Sequence, residues 1–207
     1  MSPRLDINMR VFGVPTGILG RLGGVLLARF LGPFNEWVVE LLEVASSNRI
    51  LEVGYGPGVG TELLAAAARD GFVAGVDPST ARFHMASVRN AAAIQARRVD
   101  LRLGVAENLP FDDATFDLAM SVNSMQTWPN PAAGLHEIKR CLRVGGRVAI
   151  AFTPVTGHSP DRVTRMVKEA GFTGVRIAHS SSWLRAERLF FDSKDGLCAL
   201  AVKEFGP

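Results

Sequence analysis

A run of alternating glycines after a short apolar segment constrains the fold of this chain more than any other feature. Residues 50–53 are apolar apart from Glu52, and glycine then occupies every second position from Gly54 to Gly60. Residues 61–68 are rich in helix formers, so the pattern predicts a strand, a tight loop and a helix. Glycine has no Cβ and tolerates positive φ, so a ligand can lie against the bare backbone of such a loop. In an α/β sheet, ligands bind at this carboxyl end of a strand.

The composition is that of an ordinary globular domain. The chain has 207 residues, of which 47% are hydrophobic and 21% are charged, enough for one α/β domain with a sizeable core. The net charge of +3 is small and spread along the chain, so no nucleic-acid partner is expected. The two cysteines, Cys141 and Cys198, are interpreted as reduced core thiols. No clustered His, Cys and Asp set has ligand spacing, and no metal is expected.

The N-terminal segment is apolar but interrupted. Arg21, Arg29 and recurring glycines break the apolar residues between positions 11 and 31, so we expect no transmembrane span. No signal-peptide cleavage site follows, and we expect a cytoplasmic protein. Apolar residues at helical spacing predict short helical pieces that cap the domain. A packing extension and a membrane-surface helix are the alternatives. One domain, 1–207, is expected, with a helical cap at 1–45 and a sheet domain at 46–207.

Strands and helices are predicted to alternate along the rest of the chain. Asn35 is expected to cap a helix that runs to Ala45. Strands are predicted at residues 50–53, 72–76, 101–105, 116–122, 147–152, 174–178 and 198–202, and helices at 61–68, 81–96, 131–142 and 161–170. This order predicts an α/β fold with a doubly wound, Rossmann-like sheet of seven mostly parallel strands. No helical pattern separates the last two strands, which predicts an antiparallel final pair.

The glycine loop does not match the common phosphate-binding motifs. A G-x-G-x-x-G fingerprint fails, because Val59 or Thr61 stands at the sixth position in the two possible frames. What remains is E-x-G-x-G-x-G, with Glu52 two residues before the first glycine. A carboxylate there suits a ligand with an ammonium group and repels a phosphate.

Asp77 ends the second predicted strand, about 20 residues past the loop, where an acid can accept hydrogen bonds from both ribose hydroxyls. Each charge-assisted bond contributes roughly 1.5–3 kcal/mol. Glu52 and Asp77 together therefore favour a nucleoside with a cationic tail and no phosphates.

Further motifs follow in a fixed order. They are V-D-P-S at 76–79, G-x-A-E-x-L-P-F at 104–111, F-D-L-A-x-S at 116–121 and L-R-x-G-G-R at 142–147. With the glycine loop, this series resembles the class I S-adenosylmethionine-dependent methyltransferases, in particular the small-molecule branch that includes the ubiquinone/menaquinone C-methyltransferases. The resemblance covers about residues 49–152. It implies S-adenosyl-L-methionine as cofactor and a seven-stranded sheet with an antiparallel last strand.

The resemblance also implies roles for individual residues. Independently of the resemblance, Tyr55, inside the loop, is interpreted either as a contact of the cofactor or the acceptor or as a packing residue. Val105 departs from the family, which commonly has an acid there, so adenine recognition is expected to depend on backbone groups or on Glu107. The resemblance implies that the methionine part of the cofactor contacts Glu52, Gly54, Gly56 and Gly58, and that Asp77 binds the ribose. It places the adenine between Pro78 or Ser79 on one side and Ala106 and Glu107 on the other. Asn123 is implied to lie near the methionine carboxylate and the transferable methyl group.

Methyl transfer by in-line displacement needs mainly positioning, which supplies about 7–11 kcal/mol. A general base is needed only if the nucleophile must lose a proton. The histidines are His84, His136, His158 and His179, and His158 is the candidate base because it follows the fifth strand. Trp128 is interpreted either as a wall of the acceptor pocket or as core packing.

The segment after the fourth strand, Asn123-Ser124-Met125-Gln126, lacks the N/D-P-P-Y/F motif of enzymes that methylate exocyclic or amide nitrogens. A small, apolar or aromatic acceptor is therefore predicted. The alternatives are methylation of a lipid or macromolecule, and a non-catalytic relative that only binds S-adenosylmethionine. Oligomeric state is not predicted.

Overall fold

The computed structural model describes residues 32–153, 156, 158–180 and 196–204. Residues 1–31, which hold most of the predicted cap, lie outside the described residues. Within the described part of the chain, no helix has the length and apolar character needed to cross a membrane.

Seven strands among the described residues form one sheet. They are β1 (Arg49–Val53), β2 (Phe72–Asp77), β3 (Val99–Leu103), β4 (Phe116–Val122), β5 (Leu142–Phe152), β6 (Thr173–Ser180) and β7 (Gly196–Val202). Their order across the sheet is β3-β2-β1-β4-β5-β7-β6. β7 runs antiparallel to β5 and to β6, and the other neighbours pair in parallel. The predicted doubly wound sheet with an antiparallel last strand is confirmed.

Helices lie between the strands, with short polar caps. Those within the described residues are α1 (32–42), α2 (Val59–Ala67), α3 (Thr80–Arg89), α4 (Ala91–Gln95), α5 (Pro131–Cys141) and α6 (Pro160–Glu169). The side chains of Ser79, Asn130 and Ser159 accept hydrogen bonds from the first turns of α3, α5 and α6. Such caps satisfy amide groups that the helix itself leaves unpaired.

The prediction of a single helix over residues 81–96 is wrong, because Asn90 separates α3 from α4. Its side-chain amide donates to the carbonyl of Gly58 at 3.1 Å and to that of Ala86 at 2.9 Å. The helix is therefore interrupted where a buried amide reaches the glycine loop.

The core divides into two clusters, one on each face of the sheet. α5 and α6 cover the face that includes Leu51 and Val53. α1, α2 and part of α4 cover the face that includes Ile50. Because side chains alternate along a strand, Glu52 lies on the α1–α2 face with Ile50. An acid is thus placed where the neighbouring residues are apolar.

α1 crosses its face of the sheet from the carboxyl edge to the opposite edge. At its beginning, the Phe34 ring packs against Gly196, where β7 starts beside the end of β5. At its end, the Arg147 guanidinium donates to the carbonyl of Leu42 at 2.7 Å and to the carboxylate of Glu43 at 2.9 Å. The helix therefore connects both edges of the sheet.

The predicted bounds of α1 are wrong. Asn35 is not its cap but a buried residue inside the helix, and the helix ends three residues before Ala45. The side-chain oxygen of Asn35 is directed at Gly60, since a Cβ on Gly60 would lie 3.1 Å from it. The helix ends because Glu43 has φ of 50°, and Arg147 binds the carbonyls of Leu42 and Glu43 at this end.

Among the strands, β3 and β5 depart most from their predicted bounds, because pairing, not local pattern, sets them. β3 begins at Val99 opposite Val73 and ends at Leu103 opposite Asp77, so Val105 falls outside it. β5 begins at Leu142, directly after α5, and contains a register shift against β4. Gly145, predicted to turn the chain before the strand, lies within it with φ of 79°.

Candidate active site

The glycine loop begins directly after β1, at the carboxyl edge of the sheet. Gly54, Gly56 and Gly58 have φ values of 83°, 52° and 82°, a region that other residues adopt only with strain. The amide of Gly54 donates to the carbonyl of Val76 at 2.7 Å, and that of Gly58 to the carbonyl of Tyr55 at 2.9 Å. The loop is thus held by its own backbone and by β2.

Close neighbours also require glycine in this loop. A Cβ on Gly58 would lie 2.7 Å from the Asn90 amide nitrogen and 2.8 Å from Ala86. A Cβ on Gly54 would overlap the Ser124 side chain. Ser124 follows β4, so the contact at Gly54 brings the loop directly against the end of β4.

Asp77 is the acid at the end of β2, and it is only 1% exposed. One carboxylate oxygen accepts from the amide of Gly56 at 3.0 Å and the other from the amide of Ser79 at 2.9 Å. The Arg82 guanidinium lies 3.8 Å from the first oxygen. Asp77 therefore joins the glycine loop to the start of α3, with its charge compensated by donors.

Glu52 is 3% exposed and accepts a hydrogen bond of 2.5 Å from the Thr61 hydroxyl. Burial raises its pKa from 4.5 to about 7, the negative charge of Asp77 adds to this, and the Thr61 hydrogen bond partly opposes it. Its charged form is unfavourable unless a cation lies nearby. The acid is therefore suited to respond to a positively charged group.

Tyr55 points away from the loop. Its side chain is 2% exposed, and its hydroxyl donates to the carbonyl of Arg102 at 3.2 Å. The ring packs on Gly75, where a Cβ would lie 2.8 Å from it. Burial raises the pKa of the phenol further above its usual range. Any ligand contact by Tyr55 is thus left to its backbone.

The loop after β3 carries Ala106, which is buried, and Glu107. The Glu107 carboxylate accepts from the amide of Asn130 at 2.9 Å, at the start of α5. The amide of Leu109 donates to the carboxylate of Glu137 at 2.9 Å, within α5. Glu107 is therefore engaged with α5. Pro78, predicted on the other side of the adenine, is exposed.

Asn123 directly follows β4 and has φ of 48°, unusual for a residue other than glycine. Its side-chain oxygen accepts from the Thr153 amide at 2.8 Å and from the Thr153 hydroxyl at 3.1 Å. Its side-chain nitrogen is buried and has no hydrogen-bond partner in the described structure. Asn123 thus combines a strained backbone with an unused donor next to the glycine loop.

The four histidines differ in position. His84, His136 and His179 are exposed. His158 lies after β5 with its ring centroid 4.1 Å from that of Phe152. Burial, and secondarily the charge of Arg162, lower its pKa. His158 is therefore the histidine placed at the edge where the predicted site lies.

Trp128 is a core residue that also contacts the site. It is 9% exposed, and its ring packs against Gly134. Its indole N–H donates to the Ser124 hydroxyl at 2.9 Å. These contacts favour the packing interpretation, and they fix Ser124 against Gly54.

Thr61, Asn90 and Gln126 are site residues that the sequence reasoning missed. A Thr nine residues after the acid carries no spacing signal of its own. Asn90 stands inside a helix-favouring stretch, where asparagine is a poor helix former, and that weakness was the available signal. The described residues contain no group of three or more His, Cys, Asp or Glu that could hold a metal.

Residues 51–150 match the family described as a methyltransferase domain. The chain is 27% identical over 164 residues to the uncharacterized methyltransferase YdaC of Bacillus subtilis, covering 75% of this chain and 88% of that protein. The chain belongs to the class I S-adenosylmethionine-dependent methyltransferases. The methyltransferase is also 29% identical over 118 residues to the ubiquinone/menaquinone biosynthesis C-methyltransferase UbiE of Geotalea daltonii, covering 56% of this chain and 50% of that protein. The resemblance drawn from the motifs is confirmed.

Solved structures show the same fold. The methyltransferase superimposes on phosphoethanolamine N-methyltransferase 2 of Haemonchus contortus, solved in complex with S-adenosyl-L-methionine, with a TM-score of 0.74 and 16% identity. The match covers 99% of this chain and 61% of that chain.

Proposed function

We propose that this methyltransferase moves the methyl group of S-adenosyl-L-methionine to a small-molecule acceptor by in-line displacement, at the carboxyl edge of β1, β2 and β4. The observation that carries the proposal is the meeting of three elements at this edge. Gly54 lies against Ser124, Asp77 accepts from the amide of Gly56, and Asn123 has a side-chain nitrogen without a partner in the described structure.

The residues present fit this cofactor chemically. Glu52 is a buried acid with a raised pKa, which a cationic amino group would stabilise in its charged form. At Gly56 no atom of the described residues lies within 4 Å of the position of a Cβ, so the backbone there is open to the methionine part. The unpaired side-chain nitrogen of Asn123 is a hydrogen-bond donor available to the carboxylate of the methionine part.

The nucleoside part is assigned to the neighbouring strands. In the proposal, Asp77 holds the ribose hydroxyls, and Pro78, Ala106 and Glu107 flank the adenine. Because the Glu107 carboxylate is engaged by Asn130, backbone groups of this loop supply the adenine contacts. The bound cofactor supplies an electrophilic methyl group and a good leaving group, so the protein's part is to orient the two reactants and exclude water.

The acceptor is proposed to be small and mainly apolar or aromatic, enclosed by the N-terminal segment. The support is the position of α1, whose first residues, Phe34 and Asn35, lie at the carboxyl edge beside Gly196 and Gly60. Residues 1–31 precede these and are proposed as the cap. Deleting residues 1–31 is expected to abolish methyl transfer while cofactor binding persists; full transfer by the truncated protein contradicts the cap.

Calorimetry with S-adenosylmethionine and S-adenosylhomocysteine tests the cofactor site. Asp77→Asn removes the charge and is expected to weaken both ligands by about 10- to 150-fold, as expected for one charge-assisted hydrogen bond. Asp70→Asn, at an exposed turn, is the matched control and should bind like the parent. Undiminished binding by Asp77→Asn refutes the assignment. The absence of a nucleic-acid partner and the cytoplasmic location remain predictions.

A further inference from the structure

The C-terminal end of α3 holds the glycine loop through two neighbouring residues. Arg89 is the last residue of α3, and Asn90 follows it. The Arg89 side-chain Nε donates to the carbonyl of Pro57 at 3.1 Å, and the Asn90 side-chain nitrogen donates to the carbonyl of Gly58 at 3.1 Å. Two consecutive carbonyls of the loop therefore bond to two consecutive residues at the end of one helix.

The start of the same helix holds the loop residue that precedes them. The Asp77 carboxylate accepts from the amide of Gly56, and also from the amide of Ser79, which caps α3. Positions 56, 57 and 58 are therefore each bonded to α3 or to the residues beside its two ends. The conformation of the loop thus depends on α3, and not only on the positive φ values of its own glycines.

Asn90 is the buried one of the two donors at the end of α3. It is 4% exposed, and its side-chain nitrogen also donates to the carbonyl of Ala86 at 2.9 Å, in its own helix. A side-chain amide nitrogen carries two N–H donors, and here both go to backbone carbonyls, one in α3 and one in the loop. The same two carbonyls determine the orientation of the amide, because its oxygen would be repelled by both. Aliphatic and acidic side chains have no such pair of donors, so the contact depends on the residue type.

Gly58, the residue that Asn90 binds, marks the change from loop to helix. It is the N-cap of α2 and has φ of 82°, and as a glycine it offers no capping side chain of the kind that usually stabilises this position. Its carbonyl accepts the first helical hydrogen bond of α2, from the amide of Glu62 at 3.1 Å, in addition to the bond from Asn90. Asn90 therefore fixes from outside a residue that cannot fix itself.

The bonded groups determine which part of the loop is open to a ligand. The carbonyls of Pro57 and Gly58 are directed at the end of α3, and the amide of Gly56 is directed at Asp77. In the described part of the chain, no atom lies within 4 Å of the position where Gly56 would carry a Cβ. The open backbone, where the methionine part of the cofactor is proposed to lie, is thus only two positions from the Asn90 contact. Loss of that contact would free the loop directly beside the ligand.

We infer that Asn90 is a positioning residue, which holds the glycine loop in the conformation that binds the methionine part of the cofactor and acts on the ligand through Gly58. This inference rests on the proposed function. Arg89 adds to the effect from the surface, where its ion pair with Glu62 at 2.9 Å is exposed and contributes little by itself. The nucleoside part is proposed to bind at Asp77, which keeps its own bond to Ser79, and should depend much less on Asn90.

A comparison of two ligands separates positioning from folding. S-adenosylhomocysteine carries a nucleoside and an amino acid part, whereas adenosine is the nucleoside alone, and NMR titration measures the dissociation constant of each. Asn90→Ala is expected to weaken S-adenosylhomocysteine by about tenfold, the equivalent of one hydrogen bond, and adenosine by about twofold or less. A residue that only stabilised the fold would not change the ratio of the two constants in the folded protein.

Three further variants complete the comparison. Asn90→Gln keeps the amide donors and should recover part of the affinity for S-adenosylhomocysteine. Arg89→Met, at an exposed position, removes the donor to Pro57 and should show the same selective loss, by about threefold. Arg98→Met is the matched control, because the Arg98 guanidinium donates to the carbonyl of Ala65 at 2.9 Å, further along α2. Its loss should leave the ratio unchanged.

Each outcome decides the inference. It is overturned if Asn90→Ala weakens the two ligands equally or weakens neither, if Asn90→Gln recovers nothing, or if Arg98→Met shifts the ratio as much. Where Asn90→Ala does not fold, an unchanged ratio in Arg89→Met overturns it. In all these cases the parent still binds S-adenosylhomocysteine, and the proposed function stands. A parent that does not bind S-adenosylhomocysteine refutes the proposed function, and the inference fails with it.

Discussion

Replacing Glu52 by Gln is predicted to stabilise the ligand-free protein at neutral and alkaline pH. Glu52 is buried beside Thr61 and near Asp77, and its pKa is raised from 4.5 to about 7. Because the folded protein holds this proton more tightly than the unfolded chain, the group's stabilising contribution is complete below about pH 4.5. It is lost as pH rises to about 7, and above this value it changes no further.

The magnitude follows from the two pKa values. Each pH unit between them changes the free energy of unfolding by about 1.4 kcal/mol, so the parent loses about 3 kcal/mol across this range. Glu52→Gln has no such titrating proton, so its unfolding free energy should not fall by this amount. The difference in unfolding free energy between variant and parent should therefore grow by about 3 kcal/mol in favour of the variant.

Denaturant unfolding at a series of pH values measures this difference, and subtracting the parent cancels the contributions of groups common to both proteins. Glu36→Gln, an exposed position on α1, is the control and should run parallel to the parent. If the Glu52→Gln curve also runs parallel to the parent, Glu52 does not hold a proton at neutral pH and our account of its burial is wrong.

Other predictions concern the scaffold around the site. Gly58→Ala should destabilise the protein by about 1–3 kcal/mol more than Gly145→Ala in denaturant unfolding. Both glycines have positive φ. A new Cβ at Gly58 would meet close neighbours, whereas no described residue lies within 4 Å of one at Gly145. Equal losses would show that the Asn90 contact is unimportant. Cys141 and Cys198 are buried, with pKa values raised to about 11 and 12, so a thiol reagent at neutral pH should label them only as fast as the protein unfolds; rapid labelling of the native protein contradicts this. Arg140→Met removes donors to the carbonyls of the 109–111 segment and should lower the unfolding free energy by about 2 kcal/mol; a change near zero would mean that the loop does not depend on it.

The parts of the fold that could be predicted are those written in local patterns. The alternation of apolar segments with helix-forming segments predicted the strands, and the absence of a helical pattern after residue 178 predicted the antiparallel pair of β6 and β7. The glycine loop and Asp77 were located correctly at neighbouring strand ends, since the carboxyl ends of parallel strands meet at one edge. Their contact through the Gly56 amide is consistent with that expectation.

The errors occurred where a distant contact overrides the local pattern. Asn90 interrupts a predicted helix because its amide binds Gly58, 32 positions earlier in the chain. The bounds of β3 follow its register with β2, which no residue of β3 reveals alone. Asn35 resembled a cap in sequence, yet it is buried beside Gly60. Each case depends on tertiary packing that single-sequence patterns do not encode.

The part of the candidate site proposed to bind the methyl donor was largely predictable from the sequence, and the part proposed to face the methyl acceptor was much less so. Glu52, the glycines and Asp77 are spaced closely enough for a motif to indicate them. Gln126 follows β4 and His158 follows β5, two neighbouring strands of the sheet, and the sequence indicated His158 as a candidate base but gave no signal for Gln126. The buried side-chain atoms of both residues that have no partner in the described structure are visible only in three dimensions.

Transfer of an isotopically labelled methyl group from S-adenosylmethionine to a pooled small-molecule extract tests whether this protein methylates a small acceptor. The parent is expected to move label into small-molecule products, Asp77→Asn is expected to lose this activity, and Asp70→Asn is expected to retain it. Label found only in lipid or macromolecule, or no transfer by a parent that binds the cofactor, would contradict the claim that this protein methylates a small acceptor.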